Sequence, residues 1–188
     1  HILNISSRYF MPGFSYGGSC LPKDLKALNA IAKDHALDVP IFNSVEKSNI
    51  HHMDFIFEKI KKNGVNQIGI VGLAFKPGTD DLRHSPSVDL CEKLLENGYE
   101  LCVYDENINL SKIMGKNQSF LNQHLPHIEK LLKDDLEEFI SSSNVLLIAH
   151  NDEKVVDLLI KEHPKKHIID VVGIEALKNC PNYQGLCW

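Results

Sequence analysis

Between Pro12 and Asp24 the chain reads PGFSYGGSCLPKD, and this stretch holds the residues best suited to chemistry. Cys20 follows Gly17, Gly18 and Ser19 and stands just ahead of a helix that Pro22 opens. A thiol at a helix N-terminus feels the positive end of the helix dipole, and Lys23 adds a second positive charge. Both favour the thiolate, the nucleophilic form. Asp24, in the first helical turn, is placed to orient a water or hold a proton. The glycines let backbone approach a ligand with no Cβ in the way. The plainer alternative makes Cys20 a small buried hydrophobe, the common state of a free cysteine. Tyr9, Phe14 and Tyr16 either stack on a base or sugar or fill core.

A second loop carries the other candidate charges. Lys76 and Arg83 bracket KPGTDDLR, directly after the apolar run QIGIVGLAF at residues 67–75. The two cations can meet a phosphate, or they can pair with Asp80 and Asp81. The run holds only Gly69 and Gly72, so it is not the G-x-G-x-x-G dinucleotide fingerprint.

The elements that must position these loops follow from periodicity and breakers. A helix runs from Pro22 to about Ala36 and is broken at Asp38-Val39-Pro40. A longer one runs from Pro40 to Lys62, with Ile41, Val45, Asn49, His52 or Met53, Ile56 and Ile60 along one face, and Asn63-Gly64 stops it. Its length implies packing against something beyond a small domain, a partner subunit or a second domain. Residues 67–75 form a buried strand, and Ser85 caps a helix that starts at Pro86 and closes at Asn97-Gly98. Strands follow at residues 100–104, 144–149 and 167–172, with helices at residues 108–114, 128–132, 135–142 and 152–162. The tail from Asn179 reads as irregular. Alternating strands and helices over residues 66–174 predict an α/β fold, a helical segment followed by a Rossmann-like doubly wound parallel sheet. Ligands in such sheets sit at the carboxyl ends of the strands, here the Lys76–Arg83 loop, Asp105 and His150-Asn151.

Composition narrows the function classes. The 188 residues are 43% hydrophobic and 24% charged, ordinary for a soluble globular protein. A net charge of −5 with no Lys/Arg-rich block argues against nucleic acid as partner. Five scattered cysteines without a Cys-x-x-Cys pair read as reduced thiols in a cytoplasmic protein. Ten histidines show no HExxH pattern, and adjacent His51 and His52 point in different directions, so no metal site is expected. No apolar run is long enough to cross a bilayer, and no signal peptide is evident. The first residue is not methionine, and the chain reads as starting inside a longer protein.

Residues 13–24, GFSYGGSCLPKD, resemble the active-site motif of the UDP-glucose/GDP-mannose dehydrogenase family. Residues 72–86, GLAFKPGTDDLRHSP, resemble the second signature of the same family, in the same order and separated by a long helix. The Cys-Leu-Pro-Lys-Asp form, the Gly-Thr-Asp-Asp-Leu-Arg form and the ending Gly185-Leu186-Cys187-Trp188 are more similar to members acting on GDP-mannose than to those acting on UDP-glucose.

The resemblance implies a division of the chain. Residues 1–64 would be the end of a helical middle domain, with the cysteine loop and a dimer-forming helix. Residues 65–188 would be a C-terminal nucleotide-sugar-binding domain, and the N-terminal NAD-binding domain would lie outside the chain. It implies that Cys20 is the covalent catalyst with Asp24 at the hydrolytic step, that Lys23 and Arg83 touch NAD, and that Lys76 touches the substrate. Arg8, Tyr9, Phe14 and Gly17 would line the nucleotide-sugar site of this or the neighbouring subunit. Relatives that bind GDP-mannose often carry arginine where Met11 stands, a departure that either weakens the sugar assignment or moves that contact to Arg8. The product is usually a polysaccharide precursor, and the chain alone would be inactive. Alternatives are the same chemistry on UDP-glucose or a UDP-N-acetyl-hexosamine, a non-catalytic nucleotide-sugar-binding and dimerisation module, and a cysteine hydrolase pairing Cys20 with a histidine.

Overall fold

A computed structural model of the chain describes Ser6 and residues 13–186. Two helices come first, α1 (Leu21–Asp34) and α2 (Pro40–Lys62). The alternating part follows as β1 (Gln67–Val71), α3 (Pro86–Glu96), β2 (Glu100–Tyr104), α4 (Gly115–His124), α5 (Ile128–Leu131), α6 (Leu136–Ser142), β3 (Val145–Ile148), α7 (Glu153–Lys161) and β4 (His167–Asp170). A 3₁₀ turn (Glu175–Asn179) leads to β5 (Tyr183–Gly185).

The expected breakers act where their chemistry places them. Ser85 accepts from the Ser87 N–H and caps α3, with Pro86 in its first turn. Gly64 takes φ +67° past the end of α2, a conformation that a side chain would strain. Gly72, with φ +93°, ends β1 at Val71, earlier than the apolar run suggested.

The five strands are all parallel, in the order β2-β1-β3-β4-β5. Both faces of such a sheet must be covered. Ile68 and Ile70 of β1 and Val145 and Leu147 of β3 face a core that includes Ile56, Phe57 and Ile60 of α2 and Val88, Leu90 and Leu94 of α3. Val71, Leu146 and Ile148 face the opposite core, with Phe139 and Ile140 of α6 and Val155 and Leu159 of α7. The C-terminal half of α2 is thus part of the sheet's packing. Its N-terminal half and α1 leave Leu28, Ile31, Ile41 and Ile50 exposed.

Two expectations are corrected. Residues 108–114 are irregular with a turn at 110–112, not a helix, because the Asn109 side chain accepts from the Ser111 N–H and hydroxyl and closes a local turn. The helix falls instead on the polar stretch that follows, as α4, with Leu121 buried. The tail is also ordered by pairing, since Tyr183–Gly185 forms β5 against β4. Asp170, fully buried at the end of β4, holds this corner together. Its carboxylate accepts from the N–H groups of Val172, Gly173 and Ile174 at 2.7, 3.0 and 2.6 Å and from the Tyr183 hydroxyl at 3.0 Å. Asp170→Ala leaves those donors unpaired and is expected to cost about 3 kcal/mol. Urea unfolding measures it, and a loss below about 1 kcal/mol would contradict this role for Asp170.

Candidate functional site

The cysteine loop is held between α2 and the first βα loop. Tyr16, Gly17 and Gly18 form its spine. On one side the Asn49 side chain of α2 grips the Tyr16 backbone, taking the Tyr16 N–H on Oδ1 and giving its Nδ2 hydrogen to the Tyr16 carbonyl, both at 2.9 Å. On the other side the Gly18 N–H donates to the His84 carbonyl at 2.9 Å. A Cβ on Gly17 would lie 2.1 Å from that carbonyl oxygen, and one on Gly18 would lie 2.7 Å from the Phe75 ring. Gly18 also has φ +83°. These two glycines exist because two loops, about sixty residues apart in sequence, meet here in backbone contact.

Cys20 emerges from this contact as the residue before α1. Its side chain is exposed, not a buried hydrophobe, and its sulfur lies 3.9 Å from the Ser19 hydroxyl. Asp24 sits in the first turn, its N–H bonded to the Cys20 carbonyl at 2.9 Å, and its carboxylate is 3.3 Å from the Lys23 ammonium. Cys20, Lys23 and Asp24 therefore share one exposed helix start.

In the second loop one of the two cations is ion-paired. Arg83 forms a two-point pair with Asp81, Nε to Oδ1 at 2.8 Å and Nη2 to Oδ2 at 2.7 Å. The hydrogen bonds from Arg83 hold the Asp81 carboxyl below its ordinary range, while Asp81 pushes the guanidinium up, with a further contribution from Cys20. Arg83 is half-exposed. Lys76 behaves differently, its Nζ lying 5.3 Å from the centre of the Phe75 ring. That ring is the one Gly18 rests on. Phe14 is half-buried and packs against the core beneath α2 and α3. Arg8, Tyr9 and Met11 lie outside the described residues.

A cleft of about 360 Å³ opens at the carboxyl ends of β1 and β3, where the strand order reverses. Gly72, Gly78, Asp105, His150 and Asn151 are among the residues lining it. His150 and Asp105 are turned inward. Asp105 Oδ2 accepts from the Leu73 and Ala74 N–H groups at 2.8 and 3.2 Å. His150 Nε2 lies 2.9 Å from the Ala74 carbonyl, which can only accept, so Nε2 carries the hydrogen. Burial pushes the His150 pKa down, against the pull of Asp105 at 3.7 Å. A Cβ on Gly72 would lie 2.2 Å from the His150 ring. The residues from Gly72 to Ala74, which lead into Phe75 and Lys76, are therefore clamped from both sides.

This cleft bears on whether the sheet could hold a dinucleotide. An acid at the end of the second strand is where a ribose is held in dinucleotide-binding sheets. Here that acid, Asp105, is spent on backbone, and the glycine fingerprint is missing. The residues present do not fit NAD across this sheet.

Among the described residues no group of three or more His, Cys, Asp or Glu side chains could hold a metal ion. No described helix is long and apolar enough to cross a membrane.

The fold and site together define a doubly wound α/β protein with a cysteine loop docked on its first βα loop. The chain belongs to the UDP-glucose/GDP-mannose dehydrogenase family. Residues 69–175 match that family's UDP binding domain, and residues 3–51 match its central domain. Over its full length the chain is 39% identical to a GDP-mannose 6-dehydrogenase of Pseudomonas aeruginosa and spans 43% of that relative's length. A crystal structure of a ternary complex of the Pseudomonas aeruginosa GDP-mannose dehydrogenase superposes with a TM-score of 0.87 at 39% identity, covering all of this chain and 43% of that one. A UDP-glucose 6-dehydrogenase of the same organism is 39% identical over 110 residues, 56% of this chain and 24% of the relative.

Proposed function

We propose that the chain is the C-terminal part of an NAD-dependent nucleotide-sugar 6-dehydrogenase that oxidises GDP-mannose to GDP-mannuronate. In this reading residues 1–64 close a helical middle domain and residues 65–188 bind the nucleotide sugar. The carrying observation is the docking of the Cys20 loop on the Lys76–Arg83 loop through Gly17 and Gly18. It sets the loop that carries Cys20 and Asp24 directly against the loop that carries Arg83. Full-length likeness to a GDP-mannose enzyme favours that sugar nucleotide over UDP-glucose.

The chemistry explains why a thiol is required. Oxidation of the C6 alcohol to an aldehyde removes a hydride from carbon and a proton from oxygen. The aldehyde cannot release a second hydride until a nucleophile has added to it. Cys20 thiolate attacks C6, a C–S bond forms, and the aldehyde oxygen takes a proton to give a thiohemiacetal. Loss of the second hydride and of the hydroxyl proton leaves a thioester. Water adds to its carbonyl, the C–S bond breaks, and Cys20 departs as thiolate with the acid released. Asp24 orients that water and accepts its proton. NAD, when bound, accepts one hydride at each oxidation. Lys23 and Arg83 would touch it, Lys76 would touch the substrate, and Arg8, Tyr9, Phe14 and Gly17 would contribute to the sugar-nucleotide site of this or the neighbouring subunit.

The exposed Leu28, Ile31, Ile41 and Ile50 of α1 and α2 supply the contact for a second subunit in a homodimer. The exposed thiol suits the reducing cytoplasm.

The full-length protein, supplied with NAD, tests this reading. GDP-mannose should yield two NADH per acid formed, with kcat/KM at least about tenfold above that for UDP-glucose. Equal or reversed efficiencies would overturn the sugar assignment.

A further inference from the structure

We infer that Asn49 of α2 is a positioning residue that sets the Cys20 loop for the covalent step. The inference rests on the reading of Cys20 as the nucleophile. Asn49 satisfies both backbone polar groups of Tyr16 with one planar carboxamide, each bond 2.9 Å long. The Ser15 hydroxyl adds a third bond, to the Asn49 carbonyl at 3.3 Å. Asparagine is a poor helix former, and its place in the middle of α2 offers no capping role. Its use there is the grip on the loop.

That grip matters because the loop is only partly backed at Tyr16. Two clefts, of about 520 and 270 Å³, open beside it, and Ser15, Tyr16 and Asn49 line both. Tyr16 is only half-buried, and the two Asn49 bonds hold its backbone. The C-terminal half of α2 is anchored by Ile56, Phe57 and Ile60 in the core, so Asn49 ties the loop to a rigid support. Three residues separate Tyr16 from Cys20, and the two glycines among them are pinned to His84 and Phe75. With Asn49 in place the loop is held at both ends. Without it the segment pivots on the glycines, and the thiol leaves the line of attack.

Chemically only a side chain with a donor and an acceptor on one plane can make this grip. Leucine matches its bulk and makes neither bond. Aspartate keeps the acceptor for the Tyr16 N–H and sets a second oxygen against the Tyr16 carbonyl.

The test uses the full-length protein with GDP-mannose and NAD. Asn49→Leu should lower kcat for acid formation by about tenfold to a hundredfold, as a nucleophile displaced by about 1 Å does, and leave KM within about threefold. Asn49→Asp should fall between it and wild type. The rate at which iodoacetamide alkylates Cys20 should change in the same order. A folded Asn49→Leu protein with kcat within about twofold of wild type overturns the inference. So does a lowered thermal midpoint with unchanged kcat per folded molecule, which marks a role in stability alone. If Asn49→Leu does not fold, Asn49→Asp carries the same comparison. Should Cys20→Ser still make acid at the wild-type rate while Asn49 variants alter Cys20 alkylation, the grip on the loop stands and the nucleophile assignment fails.

Discussion

Cys20→Ser is expected to lower acid formation in the full-length protein by about 10³-fold or more, the scale on which loss of a covalent nucleophile registers. A serine hydroxyl has the size but not the acidity of the thiol, so no nucleophile forms at neutral pH to add to the aldehyde. The fold should not respond. Cys20 is exposed and makes no side-chain capping bond at the start of α1, so the stability change should stay within about 0.5 kcal/mol. Acid is quantified by chromatography and stability by thermal melting on the same sample. Acid formation within about tenfold of wild type would remove Cys20 from the chemistry.

Gly17→Ala is expected to strike both stability and turnover. The new Cβ would sit 2.1 Å from the His84 carbonyl oxygen and 2.7 Å from Pro86 Cδ. Neither neighbour can yield easily. Pro86 is buried in the first turn of α3, and His84 already has φ +52°, an unusual conformation for a residue with a side chain. The loop must lift instead, breaking the bond from the Gly18 N–H to the His84 carbonyl. Overpacking of this kind costs about 1–3 kcal/mol. A thiol shifted by about 1 Å loses about a hundredfold in rate. Denaturant midpoint and kcat, measured together, check both effects. Wild-type kcat in a folded Gly17→Ala protein would mean that loop docking does not set the reacting geometry.

Much of the fold was legible because its boundaries are chemical. Ser85-Pro86 and Asn63-Gly64 act locally, and β1, β3 and β4 are short apolar runs buried on both faces. The strand order places a cleft at Asp105 and His150, as the alternation of elements suggested. Helix α4 was hidden because Phe120, Leu121 and Leu125 are diluted by a polar neighbourhood, and their burial is decided by packing on α3 and the sheet. Strand β5 carries only Tyr-Gln-Gly, with no pattern of its own, and depends on Asp170 and β4.

The site divides in the same way. The glycines announced a close approach but not what approaches, since His84 and Phe75 lie about sixty residues away. Which cation pairs with which acid in the second loop also needed the fold. Arg83 pairs with Asp81, whereas Lys76 lies over Phe75. Asn49 left a signal that was not used, a carboxamide on the face otherwise formed by Ile41, Val45, Ile56 and Ile60. A polar residue at such a position asks for a partner, and the Tyr16 backbone is that partner.

The most direct test of the thioester account is to look for the bond itself. Full-length protein turning over GDP-mannose and NAD is quenched in acid, digested, and the peptide containing Cys20 is weighed by mass spectrometry. The account predicts a fraction of that peptide carrying the mass of the GDP-mannuronyl group, released by hydroxylamine as a thioester would be, and absent from Cys20→Ser. An unmodified Cys20 peptide throughout turnover, with acid still formed by Cys20→Ser, would contradict it.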